Sequence, residues 1–230
     1  MDIQKVIQTL IASEYYPRGK KRSEADYRPV VTLSRDVGSG GSEIASRLAK
    51  RLGVPLYDKE ILDAIAERAK VDRELMARLD EKTKDIRDSW LFGLLSGQSS
   101  FLSSYRHHLF DVLLCIAQQG GVIVGRGAHI VLANREAFRL RVVGSEDRCA
   151  DRVAARNGLD REAALERVRH INRERDESTF RLVHHHLNEA HTFDLVLNTD
   201  KLDDWDVVCE FTLNAMRAMG FNLNVKEIHG

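Results

Sequence analysis

The 230-residue sequence has few cysteines, no excess charge of either sign and no long apolar run. Cys115, Cys149 and Cys209 are far apart and form no CxxC pair, which argues against a disulfide framework and a zinc site. Basic and acidic residues number 35 each, so no global field attracts nucleic acid. No stretch approaches the roughly 20 apolar residues that span a bilayer, and the acidic, weakly apolar start does not resemble a secretory signal. These absences predict a cytoplasmic protein.

The composition suits one large globular domain, because 43% of the residues are hydrophobic and 30% are charged. Residues 1–28 are interpreted as an appendage, in which helical spacing gives way to a basic loop at 17–22. A solvated linker is favoured for this loop over a contact with nucleic acid. The sequence therefore predicts the appendage, a main domain at 29–220 and a tail at 221–230.

From Pro29 onward, short apolar runs alternate with segments of helical spacing. The runs are continuously apolar, which is typical of strands covered on both faces. This pattern predicts an α/β fold with a doubly wound, parallel five-stranded sheet. The predicted strands lie at 30–33, 54–57, 122–124, 140–143 and 195–197. The predicted helices lie at 44–52, 61–69, 104–118, 146–157, 160–176 and 204–219, the last of which buries Trp205, Val208, Phe211 and Ala215.

Residues 84–103 interrupt this alternation. They combine apolar side chains such as Trp90 and Phe92 with a Ser/Gly stretch at 96–100. Two interpretations are open, a mobile flap over a site and a hydrophobic helix docked on the domain.

The sharpest local feature is the glycine-rich turn 34–43, between the first strand and the first helix. Gly38, Gly40 and Gly41 let the backbone approach a phosphate closely. The helix behind them directs free N–H groups and its positive dipole end to the same point. The turn is therefore predicted to bind nucleotide phosphates, with a tight connection that binds nothing as the alternative.

This turn departs from the P-loop pattern G-x-x-x-x-G-K-[ST]. When the last glycine of the pattern is aligned on Gly40, Gly41 stands where the lysine belongs, and Ser42 follows. The lysine normally bridges the β- and γ-phosphates, so another cation must supply its charge. Arg35 is the nearest candidate, and the hydroxyl of Ser39 or Ser42 is a candidate ligand of Mg²⁺.

Arginines concentrate in the predicted helices at 146–157 and 160–176 and just beyond them. Guanidinium groups match phosphate oxygens, so they can supply the charge that the loop lacks. A solvated face paired with glutamates is the competing interpretation, and it accounts for some of the set. Arg152 and Arg175 are selected as functional candidates. The full set is Arg148, Arg152, Arg156, Arg169, Arg173, Arg175 and Arg181.

Arg126 and Asp58 follow the third and second predicted strands, at the carboxyl ends where ligands of open α/β sheets bind. The glycines on either side of Arg126 leave room for a ligand, and a structural salt bridge is the alternative. For Asp58, helix capping competes with ligand binding. The run at 184–186 consists of three histidines, and it is interpreted as surface, because no spacing completes a metal site.

In this order, the motifs resemble the cytidylate kinase-like family, a P-loop branch close to bacterial cytidylate kinases. The resemblance covers about residues 30–219 and rests on the ensemble rather than on any single motif. The stretches that carry it are Ser34–Ile44, Tyr57–Leu62, Val122–Gly127, Arg175–Asp176 and Phe193–Thr199.

The resemblance implies a nucleoside monophosphate kinase architecture of P-loop NTPase type, with a helical insert and an arginine-bearing lid at 158–186. By position, residues 38–42 would hold the donor phosphates of ATP, accompanied by Mg²⁺, and Asp58 and Arg126 would bind the acceptor. The transferring phosphoryl group would be neutralised by three arginines, Arg152, Arg175 and Arg181.

This sequence departs from true cytidylate kinases at two positions. Gly41 replaces the loop lysine, and Gly127 replaces the aspartate that follows the arginine of the third strand. Two functions of different class therefore stay open: ATP- and Mg²⁺-dependent phosphoryl transfer to CMP or another small acceptor, and a nucleotide-binding regulatory module with little or no turnover. Zero net charge gives little support to nucleic-acid binding, and the oligomeric state is left open.

Overall fold

The structure, a computed structural model, describes residues 28–60, 62–63 and 100–223. The predicted appendage at 1–28, the helix at 61–69, the insert at 84–103 and the tail at 221–230 lie mostly outside these ranges. They stay predictions, as does the division of the chain into domains.

Strands and helices alternate along the described chain. The strands are β1 (Val30–Arg35), β2 (Leu56–Tyr57), β3 (Gly121–Val124), β4 (Ala137–Val143) and β5 (Leu195–Asn198). The helices are α1 (Gly41–Leu52), α2 (Ser100–Gln119), α3 (Ala128–Val131), α4 (Glu146–Asn157), α5 (Arg161–Val183) and α6 (Trp205–Ala218), with a 3₁₀ turn at Ala190–Thr192.

The five strands form one parallel sheet in the order β2-β3-β1-β4-β5, which confirms the predicted α/β fold. Val30 of β1 lies beside Gly121 of β3 on one side and Ala137 of β4 on the other. All five strands end at the same edge, so the segments that follow β1, β3 and β4 meet there. This edge is where open parallel sheets bind their ligands.

Apolar side chains cover both faces of the sheet. Val31 and Leu33 of β1 pack in a cluster with Leu48 of α1 and Leu213 of α6, and all four are at most 1% exposed. Val30 lies on the other face, in a cluster with side chains of α2 and α3. Burial of each such side chain contributes on the order of 2 kcal/mol. The strand alternation thus fixes the layers and holds the edge that carries the site.

Capping residues set the ends of the helices near this edge. The Ser145 side chain accepts a hydrogen bond from the N–H of Arg148 at 3.3 Å, and Asp160 accepts from that of Ala163 at 2.8 Å. Such N-caps satisfy helix N–H groups that otherwise have no partner. Gly158 takes a left-handed conformation at the end of α4, with φ of 65°. The chain therefore turns back directly into α5, which packs on α4.

Two predictions about burial are wrong. Val196 of β5 is 43% exposed, although its strand was expected to be covered on both faces. β5 is an edge strand, and its residues alternate between half-buried and exposed. Phe211 of α6 is 52% exposed, because Val208 and Leu213 form the side of that helix that contacts the sheet.

Some element boundaries also differ from the predictions. α5 continues beyond residue 176 to Val183, since no glycine or proline interrupts it before His184 adopts a left-handed conformation. α2 begins at Ser100 rather than at 104, and β2 contains only two residues. In the part of the chain described, no helix is long and apolar enough to cross a membrane.

Candidate functional site

The turn between β1 and α1 has the backbone geometry of an anion-binding loop. Gly38 and Gly40 have positive φ angles of 81° and 79°, and α1 starts immediately afterwards. Within the described chain, the N–H groups of Gly38, Gly40, Gly41 and Ser42 have no hydrogen-bond acceptor. Free N–H groups at a helix N-terminus form a site for phosphate oxygens. We call residues 36–42 the phosphate loop.

Neighbouring elements hold this loop so closely that side chains would not fit. A Cβ atom on Gly38 would lie 2.8 Å from Cα of Cys149 in α4. On Gly40 it would lie 2.6 Å from Cζ2 of Trp205 in α6. Real Cβ contacts are longer than this, so both positions require glycine. The loop is thus fixed against two helices.

Arg35 occupies the space that the third glycine leaves open. A Cβ atom on Gly41 would lie 2.9 Å from Cγ of Arg35 and closer still to its Cβ. The Arg35 side chain extends towards the β3–α3 turn, where Nη1 lies 3.4 Å from the Cβ position of Gly125. The position of the missing lysine is therefore adjacent to a guanidinium group, which spans the gap between the phosphate loop and this turn.

Two further guanidinium groups lie near Arg35. Nη1 of Arg175, in α5, donates to the main-chain oxygen of Arg35 at 3.1 Å. Nη2 of Arg141, in β4, donates to Oδ1 of Asp36 at 2.5 Å. We call Arg35, Arg141 and Arg175 the arginine cluster.

The arginine cluster is desolvated and positively charged. Burial, with the positive charge of Arg35 and Arg141, lowers the pKa of Arg175 to about 10, against the opposite effect of Asp36. Burial and Arg141 likewise lower the pKa of Arg35, and Asp58 opposes them. Nε of Arg35, and Nε and Nη1 of Arg141, are buried without a partner among the described residues. Such a group of cations favours an anionic ligand.

Arg152 contacts the phosphate loop from the side of β5 and uses its donors within the protein. Nη1 donates to Oγ1 of Thr199 at 3.2 Å and to the main-chain oxygen of Gly38 at 3.4 Å. Nη2 donates to the main-chain oxygens of Thr199 and Leu202 at 2.6 and 3.1 Å and to Asp203 at 2.9 Å. Its guanidinium carbon lies 5.1 Å from the centre of the Trp205 ring. In this arrangement Arg152 holds the loop.

The two serines of the loop differ in their surroundings. Ser39 is fully buried, and its hydroxyl lies 2.9 Å from the main-chain oxygen of Asp36 and 3.3 Å from that of Val142. Ser42 is exposed in the first turn of α1. Glu43 forms an ion pair with Arg156 at 2.7 Å, which neutralises a carboxylate near the proposed phosphates. Of the two hydroxyls, that of Ser42 is the one accessible to a metal ion.

Arg126 lies in the turn after β3, as predicted, but its side chain is already paired. It takes a left-handed conformation, with φ of 57°, and its Nε donates to Asp63 at 2.8 Å. Nη2 bonds the second oxygen of that carboxylate, and the Tyr105 hydroxyl donates to Asp63 at 2.7 Å. Asp58 ends up at the same edge, within the electrostatic field of Arg35. The structure therefore brings both predicted acceptor residues to the edge that carries the loop.

Arg181 lies apart from the arginine cluster. It is exposed in the last turn of α5, six residues beyond Arg175. Six residues correspond to about 9 Å along a helix and about 120° around it, so the two arginines do not share a face. The run at 184–186 is partly exposed, with His185 bonded to Glu189 and His186 to Asp176, both through carboxylates.

Sequence reasoning missed Arg141, Asp36, Asp63 and Tyr105. A signal was present for Arg141, because β4 reads AFRLRVV and a charge in a buried strand is rare unless it has a role. Asp63 gave no signal, since its pairing with Arg126 depends on tertiary contacts.

The site suits ATP and Mg²⁺ on the residues present. The unbonded loop N–H groups and the partnerless guanidinium nitrogens match a polyphosphate. Mg²⁺ in such sites takes only one or two protein ligands beside phosphates and water, and the exposed hydroxyl of Ser42 provides one. Among the residues described, no three histidine, cysteine, aspartate or glutamate side chains group into a metal site.

A parallel sheet with a glycine-rich phosphate loop between β1 and α1 defines a protein of the P-loop kinase class. Comparison with family models matches residues 30–201 to the cytidylate kinase-like family. The match spans most of the chain, so this protein belongs to the cytidylate kinase-like family, as its motifs predicted.

Solved structures show the same fold. An uncharacterized protein from Eubacterium ventriosum ATCC 27560 is 21% identical, with a TM-score of 0.68 over 84% of this chain and 99% of that one. Shikimate kinase from Bacteroides thetaiotaomicron is 14% identical, with a TM-score of 0.45 over 82% and 98%. A gluconokinase from Sinorhizobium meliloti 1021 is 14% identical, with a TM-score of 0.44 over 84% and 94%. No curated protein matches the chain.

Proposed function

We propose that this protein transfers a phosphoryl group from ATP, bound with Mg²⁺ at the phosphate loop, to a small acceptor in the cleft between β1 and β3. CMP or another nucleoside monophosphate is the acceptor that the family suggests. Arg35 and Arg175 supply the positive charge that a loop lysine supplies elsewhere.

The placement of Arg35 against Gly41 carries this proposal. Its side chain fills the space that any residue larger than glycine would need, so the two positions are complementary. Its guanidinium group reaches the β3–α3 turn, which follows the strand next to β1. A cation in this position lies between a donor on the phosphate loop and an acceptor beside β3.

The chemistry asked of these residues is positioning and charge stabilisation. Phosphoryl transfer passes through a loose transition state with charge spread over the phosphoryl oxygens. Desolvated, preorganised cations stabilise that charge more strongly than solvated ones. Arg175 fits this role, because burial and like charge make its field strong where an anion enters.

On the acceptor side we assign Arg126 and Asp58. The pairing of Arg126 with Asp63 and Tyr105 fixes its guanidinium group at the carboxyl end of β3. A preorganised cation there costs less entropy on binding than a free side chain. Within this proposal Arg181 contributes only if the end of α5 approaches the cleft on binding.

Transfer from ATP to a panel of nucleoside monophosphates and small hydroxyl compounds tests the proposal. We expect Mg²⁺-dependent transfer to one acceptor, with CMP as the first candidate. The matched control is the Arg35→Ala, Arg175→Ala double variant, which should bind ATP but transfer at background rate. Transfer by this variant at the wild-type rate would refute the assignment of the two arginines.

The second candidate is a nucleotide-binding regulatory module with little or no turnover. The inward hydroxyl of Ser39 and the absence of a lysine at Gly41 favour it, because both reduce the side-chain chemistry available at the loop. Calorimetry separates the two candidates. Tight ATP binding without transfer to any acceptor would support the regulatory module.

A further inference from the structure

Arg141 is a buried charged side chain that no motif of the sequence explains. Its side chain is 9% exposed, and only Nη2 is bonded, to Asp36 at 2.5 Å. Nε and Nη1 are buried without a partner among the described residues. Unbonded buried donors destabilise a fold, and such violations concentrate at functional sites.

The sheet places Arg141 directly behind the phosphate loop. In the parallel register of β4 and β1 it lies beside Ser34, so the two side chains leave the sheet on the same face. Asp36 is the first residue after β1. Through Asp36, Arg141 therefore connects a central strand to the start of the loop.

Asp36 organises the loop through its main chain. Its N–H donates to the oxygen of Val142 at 3.0 Å, and its own oxygen accepts from the Ser39 hydroxyl at 2.9 Å. Its carboxylate lies at the end of the loop where the unbonded N–H groups begin. An uncompensated negative charge there would repel a phosphate group.

We infer that Arg141 is a positioning residue of the phosphate loop, which anchors and neutralises the Asp36 carboxylate so that the loop presents no negative charge to its anion. The other charged or titratable groups near Asp36 are Arg175 from α5 and the thiol of Cys149 from α4, and Arg35 is near Arg141 itself. Arg175 alone does not bond the carboxylate, so Arg141 has this task. The inference rests on phosphate binding within the proposed function, but not on turnover.

Inorganic pyrophosphate with Mg²⁺ is the probe, measured by calorimetry on the full chain. Arg141→Met should weaken pyrophosphate binding by about tenfold or more, because it leaves a carboxylate unpaired beside the anion. Asp36→Asn combined with Arg141→Met should restore binding to within about threefold of wild type, because the charge to be neutralised is gone. Arg141→Lys should fall between them, since it keeps the charge but loses the fork geometry.

A purely structural role of Arg141 gives a different pattern. The double variant would then bind as weakly as Arg141→Met, or more weakly, and this result would overturn the inference. Thermal unfolding identifies a variant that fails to fold. In that case Asp36→Asn alone decides, because it should bind pyrophosphate at least as tightly as wild type, and a loss of about tenfold would overturn the inference.

Failure of this inference is distinct from failure of the proposed function. Pyrophosphate binding that follows the expected pattern, without transfer from ATP to any acceptor, would refute the kinase proposal and support the role of Arg141. Normal transfer and pyrophosphate binding by Arg141→Met would refute the role of Arg141 alone. A wild-type protein that binds no pyrophosphate would overturn both.

Discussion

The phosphate loop is flanked by arginines on two sides, and the two sides use their guanidinium groups differently. On the β5 side, Arg152 bonds four protein groups through Nη2 and Nη1 besides Asp203 or the Trp205 ring, which leaves its terminal nitrogens satisfied. On the β1 side, within the described chain, Arg175 makes one hydrogen bond, and Arg35 and Arg141 have partnerless nitrogens. A satisfied guanidinium stabilises the protein, whereas an unsatisfied, desolvated one stabilises an incoming anion.

The largest effect is expected from Arg175. Arg175→Met should lower the rate of phosphoryl transfer by about 10²–10³, because it removes a desolvated cation from the transition state. The melting temperature should stay the same or rise, since the variant also removes repulsion of Arg35 and Arg141. Single-turnover kinetics and thermal unfolding measure the two effects.

Arg173→Met is the matched control, because Arg173 is exposed on the same helix. It should transfer at the wild-type rate. Equal rates for both variants would remove the distinction between the two flanks of the loop.

Arg35 gives the next effect, and it can be reversed. Arg35→Ala should slow transfer by about 10², as expected for the loss of one charge donor. Arg35→Ala with Gly41→Lys should recover part of that rate, because the space beside residue 41 is then free for a lysine. The measurement is kcat at saturating ATP.

Gly41→Lys alone is the control for this exchange. It should disturb the loop and weaken ATP binding, since its side chain collides with Arg35. An active Gly41→Lys variant with normal ATP affinity would show that the two positions are not complementary.

A smaller effect, of a different kind, is expected from Arg152. Arg152→Ala leaves buried main-chain oxygens of Thr199 and Leu202 without their donor. We expect a loss of about 2 kcal/mol in unfolding free energy, or about 4–8 °C in melting temperature for a domain of this size. ATP binding should weaken in parallel as the loop loosens. A large fall in kcat at unchanged melting temperature would instead support the catalytic role predicted from the sequence.

The sequence predicted the fold more completely than the site. Continuous apolar runs such as Val122–Val124 and helix breakers such as Gly53 and Gly158 are local signals, and they fixed the order of the elements. The edge position of β5 is not local, so the exposure of Val196 escaped prediction. Strand order decides which faces are covered, and no single segment encodes it.

The site was predicted in part, because its loop is a local motif and its charges are not. The glycines announced a phosphate loop, and Arg35 was recognised from its proximity in sequence. Whether Arg152 or Arg175 has free donors depends on neighbours such as Thr199 and Arg141, which belong to other elements. Side-chain type and spacing give the inventory of cations, whereas tertiary contacts decide which of them are satisfied.

The smallest effect is expected from the exposed ion pair of Glu43 and Arg156, whose side chains are 37% and 73% exposed. Arg156→Ala should change the unfolding free energy by no more than about 0.5 kcal/mol, because exposed pairs contribute little. ATP affinity should fall by about twofold at low salt and by less at 0.5 M salt, since Glu43 then faces the phosphates with only ionic screening. Glu43→Gln should produce the opposite change in affinity. A salt-independent loss of transfer in Arg156→Ala would show that the guanidinium group acts on the substrate directly, and the satisfied flank of the loop would then contain a working cation.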